Sequence, residues 1–565
     1  MYVGVNKPCH TLSPNVVVPA SLVLAATCLA VAFWRRRLRC GSGIQQVPPQ
    51  ELFLQQQQQQ QQGPGTREAA KQHTEGSNAK QRLPIRRRTA LKAQLSAFIG
   101  TEHAEALLES LRTPPLTTTI RVNTAAATRA EAERRLLDAG VGGLAGLRPH
   151  PALSDVLEIP VRGPFAIERS LPFAIAVDQS CAESVLRGAD VFAPGVLGCS
   201  PGLCEGERVA VVVANLNHRA ETALGSKLSS GSVALLDETE GWLHCGNGVA
   251  VLGRADLFPP GHHRTDRPVA KGSRPTGLAV RMDERVYSAP SLHGVLPDLL
   301  LLQNLPSAVT VHMLDPQPGE RILDMCAAPG GKATHCAALL GGRGSVVALD
   351  RSARRLAEVE KLASRLGVEA TMECVCLDAT LALERWPPGS FDRVLLDPPC
   401  SALGQRPRLI LTATPEEVCA CAAYQMRLVS AAVGLLKPGG VLVYSTCTVS
   451  AEENEMVIAH ALEAYPQMCL VPSLTSTLAQ ASHAYSLGAA PTAAPSPTAT
   501  PSPPSSALDA TASLGGPGWP GCGLRAEQCT LVRRWDPTTA AGAGHIGFFA
   551  ARLVKLKLEE GAGGG

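Results

Sequence analysis

Glu320-Arg321-Ile322-Leu323-Asp324-Met325-Cys326-Ala327-Ala328-Pro329-Gly330-Gly331-Lys332 decides the fold. An apolar run ends in an acid, a turn with paired glycines follows, and Ala333 opens a helical stretch. That order reads as strand, turn, helix. The glycines let backbone approach a ligand closely. The spacing is neither G-x-G-x-x-G nor G-x-x-x-x-G-K, so neither a dinucleotide fingerprint nor a Walker motif is present. The same grammar repeats downstream. Ser345–Leu349 ends in Asp350, Val375 precedes Asp378, Val394-Leu395-Leu396 runs into Asp397-Pro398-Pro399-Cys400, and Val441–Tyr444 runs into Ser445-Thr446-Cys447. From Gln303 onward, apolar strands alternating with helices predict an α/β, Rossmann-like domain.

In such sheets ligands bind outside the carboxyl ends of the strands, where these acids and thiols fall. Asp350 lies about 20 residues past the glycine pair, where an acid holds ribose hydroxyls. Asp378 falls at the next strand end, near an adenine edge. Any one of these acids alone also fits a helix N-cap or a solvated loop. In order along three strands they resemble the S-adenosylmethionine site of Rossmann-like methyltransferases. That site would comprise Cys326, Ala327, Ala328, Pro329, Gly330, Gly331, Lys332, Asp350, Asp378 and Asp397.

The DPPC segment resembles the [DN]PP[aromatic] box of amino-methyltransferases, with Cys400 replacing the aromatic residue. A thiol matters when the acceptor is a carbon without a free lone pair, such as cytosine C5. Thiolate addition at C6 makes C5 nucleophilic, and covalent catalysis splits one hard step into easier ones. One thiol suffices for that, yet Cys447 supplies a second. Two buried structural cysteines are the plainer alternative.

The 565 residues allow two or three domains, and 45% hydrophobic content supports sizeable cores. A net charge of +3 gives no global pull on nucleic acid, so any such patch is local. The 18 cysteines include no C-x-x-C pair, and they read as mostly reduced, small apolar residues in a reducing compartment. No metal site is expected.

Residues 1–40 form an apolar and basic leader: Val16–Trp34 is nearly all apolar and runs into Arg35-Arg36-Arg37. As a helix it would rise about 28 Å, close to a bilayer core. A membrane anchor facing the cytosol, an organellar transit peptide and an inert leader all fit. Residues 41–88, with glutamines at 55–62, read as a disordered linker, and 89–170 as the N-terminal part of the catalytic region. Short β-rich runs at Arg208–Val213, Ser232–Leu236, Gly248–Leu252 and Gly277–Val280 predict a small barrel over 171–283. The catalytic domain then spans 284–565, interrupted by a disordered Pro/Ala/Ser/Thr-rich insertion at 472–518, with order returning near Leu524. A capping box, Ser450 to Glu453, would open the helix after Cys447.

The combination of PCS and STCT contexts with LQNLPSA (302–308), CAAPGGK, DPPCSALGQRP, LLKPGGVLVYSTCT, AEENE and IGFFAARLVK resembles the Sun-domain (Fmu/NSUN-type) RNA cytosine-C5 methyltransferases. VLRGADVFAPGV, Val185–Val196, resembles the RNA-gripping part of a PUA module, which points to the PUA-containing tRNA methyltransferase subfamily. The resemblance implies an S-adenosyl-L-methionine cofactor and a monomeric, cytoplasmic enzyme. Its substrate would be tRNA, or messenger RNA with similar stem-loops, and its target an acceptor-stem cytosine near the CCA end. It implies that Cys447 attacks, Cys400 assists release, Asp397 contacts the cytosine edge and Lys332 stands beside it. Arg187, Gly188, Pro194, Gly195, Lys271 and Arg281 are the candidate RNA contacts. The sequence departs from the usual family text at Pro398 (commonly Ala) and Ala402 (commonly Gly). An amino-methyltransferase with a variant DPP box, or a silent RNA-binding protein, remain as rival readings.

Overall fold

The structure, a computed structural model, describes residues 76–214, 242–258, 276–472 and 514–557. The leader, the glutamine tract, Ser232–Leu236, Lys271 and residues 473–513 of the insertion lie outside them.

Helix α1 (Gly76–Ile99) is joined by Gly100 to α2 (Thr101–Ser110). Leu91 and Leu95 anchor α1 against Leu107 and Leu108 of α2 and against Leu403, Val449 and Trp519 of the catalytic region. The helix starts inside the stretch expected to be linker, because propagating a helix from an anchored turn is cheap. Strands β1 (Thr117–Val122), β2 (Arg148–Pro149) and β3 (Val156–Pro160) pair antiparallel. Helix α3 (Arg129–Asp138) covers them with Ala132 and Leu136.

The β-rich region is a six-stranded sheet of β4 (Phe173–Val177), β5 (Val191–Phe192), β6 (Val196–Cys199), β7 (Arg208–Ala214), β8 (Trp242–Ala250) and β9 (Leu278–Arg285), ordered β5-β9-β8-β7-β4-β6. It wraps α4 (Gln179–Leu186), whose Ala182, Val185 and Leu186 join Ile175, Val209 and Val211 in one core. Asp178 caps α4 by accepting from Cys181 N–H at 2.8 Å. The chain then returns through β10 (Leu300–Leu302), which pairs with β1.

The catalytic sheet runs β13-β12-β11-β14-β15-β18-β16. Its parallel strands are β11 (Arg321–Asp324), β12 (Ser345–Asp350), β13 (Met372–Cys376), β14 (Phe391–Leu396) and β15 (Leu436–Thr446). Strand β18 (Phe548–Lys555) inserts antiparallel between β15 and β16 (Met468–Leu470), and β17 (Arg533–Trp535) pairs with its start. Helices α5 (Leu305–Leu314), α6 (Gly331–Leu339), α7 (Ala353–Leu366), α8 (Pro415–Leu435) and α9 (Glu455–Ala464) belong to the same region.

Two further expectations are corrected. Packed chain resumes at Leu514, which is fully buried, and Gly516 bridges Arg534, so 514–518 belong to the fold rather than to an insertion. The apolar side chain of Leu514 joins the main core there. The helix after Cys447 begins at Glu455, with Asn454 at its N-cap and no side-chain cap. Ser450 Oγ does accept from Glu453 N–H at 3.3 Å, but the Glu453 carboxylate turns away to Ser401 and Gln425. Buried acceptors sought by those neighbours outcompete a local cap.

Candidate active site

The turn from β11 into α6 carries Asp324 to Lys332. Gly330 sits at φ 104, and a side chain there would press on Val359 of α7 at 3.2 Å. A cavity of about 680 Å³ opens over this turn. Cys326, Ala327, Ala328, Pro329, Gly331, Lys332 and Asp397 line it, whereas Gly330, Asp350 and Asp378 do not. Asp350 is buried and takes Ser352 N–H at 2.9 Å and Arg355 at 3.4 Å. Asp378 takes Thr380 N–H at 2.9 Å and stands 3.5 Å from the Tyr424 hydroxyl. The acids nonetheless converge electrostatically on Cys326. Burial, then Asp324, Asp397 and Asp350, push its thiol far above the ordinary range, so it serves as a packed thiol rather than a nucleophile.

Lys332 Nζ donates to Asp397 Oδ2 at 2.7 Å and lies 5.6 Å from the Phe548 ring. Ser445 Oγ donates to Asp397 Oδ1 at 2.7 Å. Burial works against the Lys332 charge, but the Asp397 carboxylate outweighs it and holds the ammonium above its ordinary range. Asp324, unclaimed in the sequence reading beyond its place in the turn, is buried at the head of this cluster. Burial and the Asp397 charge raise it to about 7.

Cys400 and Cys447 meet with their sulfurs 3.5 Å apart, at the carboxyl ends of neighbouring strands β14 and β15. The pair is asymmetric. A hydrogen bond from Cys400 lowers the Cys447 pKa, against burial and the Asp397 charge, and Gln405 and Lys332 add to the lowering. The same hydrogen bond, with burial, drives Cys400 well upward. Either sulfur can donate in this pair, and with Cys400 as the donor the thiolate form is favoured on Cys447. Gln405, a hydrogen-bond partner of Cys447, lines the cavity together with Lys332 and Asp397, whereas the two thiols themselves lie outside its lining. Backbone closes the far side: Gly404 N–H donates to Cys447 O at 2.9 Å, and Gly547 N–H donates to Gly404 O at 2.8 Å. A Cβ at Gly404 would lie 1.9 Å from Gly547 O.

A second cavity, about 820 Å³, lies between α4 and the β1/β10 edge and shares Leu302, Gln303 and Asn304 with the first. Arg187, Gly188, Pro194 and Gly195 line it. Gly188 also has a packing reason, since a Cβ there would lie 2.5 Å from Ala289 O. Phe192, half exposed, lines it too and was missed; an exposed aromatic beside Arg187 is the signal that marks it. Arg281 is exposed on β9 outside this lining, and Arg285 is spent on Asp190 at 2.8 Å. Arg121 was missed as well. Buried on β1, its guanidinium donates to Gly331 O and, at 3.2 Å, to Thr334 Oγ1, tying the N-terminal sheet to α6. Asp155 takes His335 at 2.6 Å and His312 at 2.9 Å. Those separations are hydrogen bonds, shorter than two ligands spanning a metal would show.

Residues 311–498 match the family described as 16S rRNA methyltransferase RsmB/F, and residues 173–225 match the PUA domain. The chain is 35% identical over 507 residues to the tRNA (cytosine(72)-C(5))-methyltransferase NSUN6 of Homo sapiens, covering 83% of this chain and 95% of that protein. It is 34% identical over 375 residues to a tRNA (cytosine(72)-C(5))-methyltransferase of Pyrococcus horikoshii, covering 65% of this chain and 83% of that one. The crystal structure of NSun6 from Pyrococcus horikoshii with SFG shares 29% identity at a TM-score of 0.61, over 83% of this chain and 98% of the other. The thiol pair, the Rossmann-like sheet and likeness over nearly the whole length of a relative lead to one conclusion: this chain belongs to the S-adenosylmethionine-dependent RNA cytosine-C5 methyltransferases, in their PUA-containing NSUN6 branch.

Proposed function

We propose that this protein forms 5-methylcytosine in tRNA, at an acceptor-stem cytosine near the CCA end, through a covalent adduct between Cys447 and cytosine C6. The observation that carries the mechanism is the pair of sulfurs 3.5 Å apart beside the Lys332–Asp397 ion pair. The residues fit S-adenosylmethionine: a cavity of about 680 Å³ covers the glycine turn, and the Gln303 amide that lines it has both polar atoms buried without a partner. Cys326, Ala327, Ala328, Pro329, Gly331, Lys332 and Asp397 would hold it, while Asp350 and Asp378, outside the lining, brace the neighbouring strand ends. When bound, the cofactor supplies an electrophilic methyl group. Cys447 as thiolate adds to C6, and the electron pair of the C5–C6 double bond becomes available at C5. Asp397, fixed by Lys332 and Ser445, accepts from the exocyclic amine and orients the ring. After C5 is methylated, a base removes the C5 proton. The double bond re-forms, the Cys447 sulfur leaves C6 as thiolate, and Cys400 assists that release.

The target base must leave its stack to reach Cys447. The cavity under α4, with Arg187 and Phe192, offers the charge and the aromatic face that a single-stranded RNA end requires. The decisive experiment is methyl transfer to tRNA transcripts mapped by bisulfite sequencing. Cys447→Ala abolishes the product, and Cys400→Ala leaves protein covalently attached to RNA. Full activity in Cys447→Ala would instead favour the amino-methyltransferase chemistry of a DPP box. Residues 16–34 we propose as an address or anchor on an otherwise cytoplasmic enzyme. A fluorescent fusion with and without residues 1–50 tests that, and an identical distribution of the two rejects it.

A further inference from the structure

Two neighbouring thiols are chemically equivalent until something breaks the tie. The geometry points to Glu453. We propose that Glu453 is a positioning residue whose carboxylate locks the Cys400 turn to the Cys447 turn and fixes Cys400 as the hydrogen-bond donor of the pair; this rests on reading Cys447 as the nucleophile.

Glu453 is fully buried in the AEENE segment. Its Oε1 accepts from Ser401 N–H at 2.9 Å and from Gln425 Nε2 at 3.1 Å, and Ser401 Oγ donates to Oε2. Ser401 Oγ also lies 2.8 Å from Thr448 Oγ1. Ser401 follows Cys400 and Thr448 follows Cys447, so one carboxylate braces both thiol turns. The Tyr444 hydroxyl pins Glu453 from β15, donating to its carbonyl at 2.6 Å. No cation pairs with the carboxylate among the described residues, so its charge acts on what surrounds it. Those groups are Cys400, Cys419 and Cys421 of α8, and Tyr444, each raised in part by Glu453. On the other side of the pair, Lys332 and Asp397 face Cys447, and the lysine favours its thiolate. The Lys332 charge is offset at Cys447 by its partner Asp397, whose opposing effect is the larger, so the unpaired anion behind Cys400 is what orients the shared proton. Burial raises Glu453 itself to about 7, so its charge is half present near neutral pH and grows toward completion over the alkaline part of the titration.

Glu453→Gln keeps an oxygen for Ser401 N–H and a donor for Ser401 Oγ but removes the charge. The test alkylates full-length protein with iodoacetamide across pH 6–9.5, maps both cysteines by peptide mass spectrometry, and measures single-turnover methylation in parallel. In the wild type Cys447 is modified first. In E453Q the Cys400 to Cys447 ratio rises roughly ten-fold and the first alkylation midpoint falls by about one pH unit, the size of one lost neighbouring charge. A loosened loop would instead move the midpoint up, toward a free thiol, and that outcome overturns the proposal. So does a folded E453Q with the wild-type ratio and midpoint. If E453Q melts below the assay temperature, Ser401→Ala, which keeps the Glu453 charge, decides on the ratio alone: a raised Cys400 to Cys447 ratio supports the brace, and the wild-type ratio overturns it. Cys447→Ala run alongside separates the two ideas, because an active C447A rejects the nucleophile assignment, whereas an inactive C447A with an unaltered E453Q rejects Glu453 alone.

Discussion

Ala402 carries a left-handed backbone, φ 56, within the turn that follows Cys400. A Cβ in that conformation costs roughly 1–2 kcal/mol, and glycine escapes it. Ala402→Gly is therefore expected to raise the unfolding free energy by about 1 kcal/mol, read from the midpoint of urea unfolding. The departure from the family text noted in the sequence thus shows up as local strain beside the thiol. Asp324 makes a pH prediction. Its folded pKa of about 7 lies above the ordinary carboxyl value, so the native state holds a proton the unfolded chain has lost. Its contribution is complete at low pH and is lost as pH rises from about 4 through about 7. Asp324→Asn should gain thermal stability relative to the wild type as pH goes from 5 to 8, and a pH-independent difference in Tm would contradict this. The thiols, Lys332 and Asp397 were legible because each ends a short motif after an apolar strand. Glu453 was not, because S-x-x-E before an apolar run reads as a helix cap until a partner from the distant Ser401 is in view.

At the level of elements, β11 and β12 could be read almost to their ends, but only the apolar stretches Val394–Leu396 of β14 and Val441–Tyr444 of β15 and one residue of β13 were legible, since buried parallel strands announce themselves as continuous apolar runs. Their long-range partners could not be read. The segment Thr118–Thr124 announces a strand, but nothing local tells that its Arg121 reaches Gly331 and Thr334 across the molecule. This contact is how the N-terminal sheet holds the cofactor turn. Arg121→Ala leaves buried acceptors unpaired and should cost about 2–4 kcal/mol of stability. At temperatures where the variant stays folded, cofactor affinity measured by calorimetry should fall several-fold. Unchanged affinity would restrict Arg121 to packing. Helix α1 was missed for a similar reason. Its register is set by Leu91 and Leu95 docking on Leu403 and Trp519, residues far along the chain.

Over the whole molecule, two cavities meet at Leu302, Gln303 and Asn304, one beneath the PUA sheet and one above the glycine turn. On the proposed function, an RNA end seated in the first would lie beside the cavity that Gln405, Lys332 and Asp397 line. Phe192→Ala should raise KM for tRNA roughly ten-fold, since stacking on an aromatic face is worth about 1–3 kcal/mol per base. Its kcat at saturating tRNA should change little. Arg187→Ala should weaken binding and flatten the dependence of log Kd on log salt by about one unit, the signature of one lost phosphate contact. A salt slope equal to the wild type's would place Arg187 outside the interface.

The antiparallel strand Phe548–Lys555 lies against the strand that bears Cys447, and Gly547 grips Gly404 just before it begins. During synthesis, every group that performs methyl transfer has been added once translation passes Thr448. The thiol turn still has no outer wall until residues 547–555 emerge. The nascent chain is thus chemically complete and mechanically unfinished. A premature stop between Thr448 and Gly547 is expected to yield a protein with its full reactive set and no methyl transfer to tRNA, and an active truncated chain would show that the closing strand is dispensable.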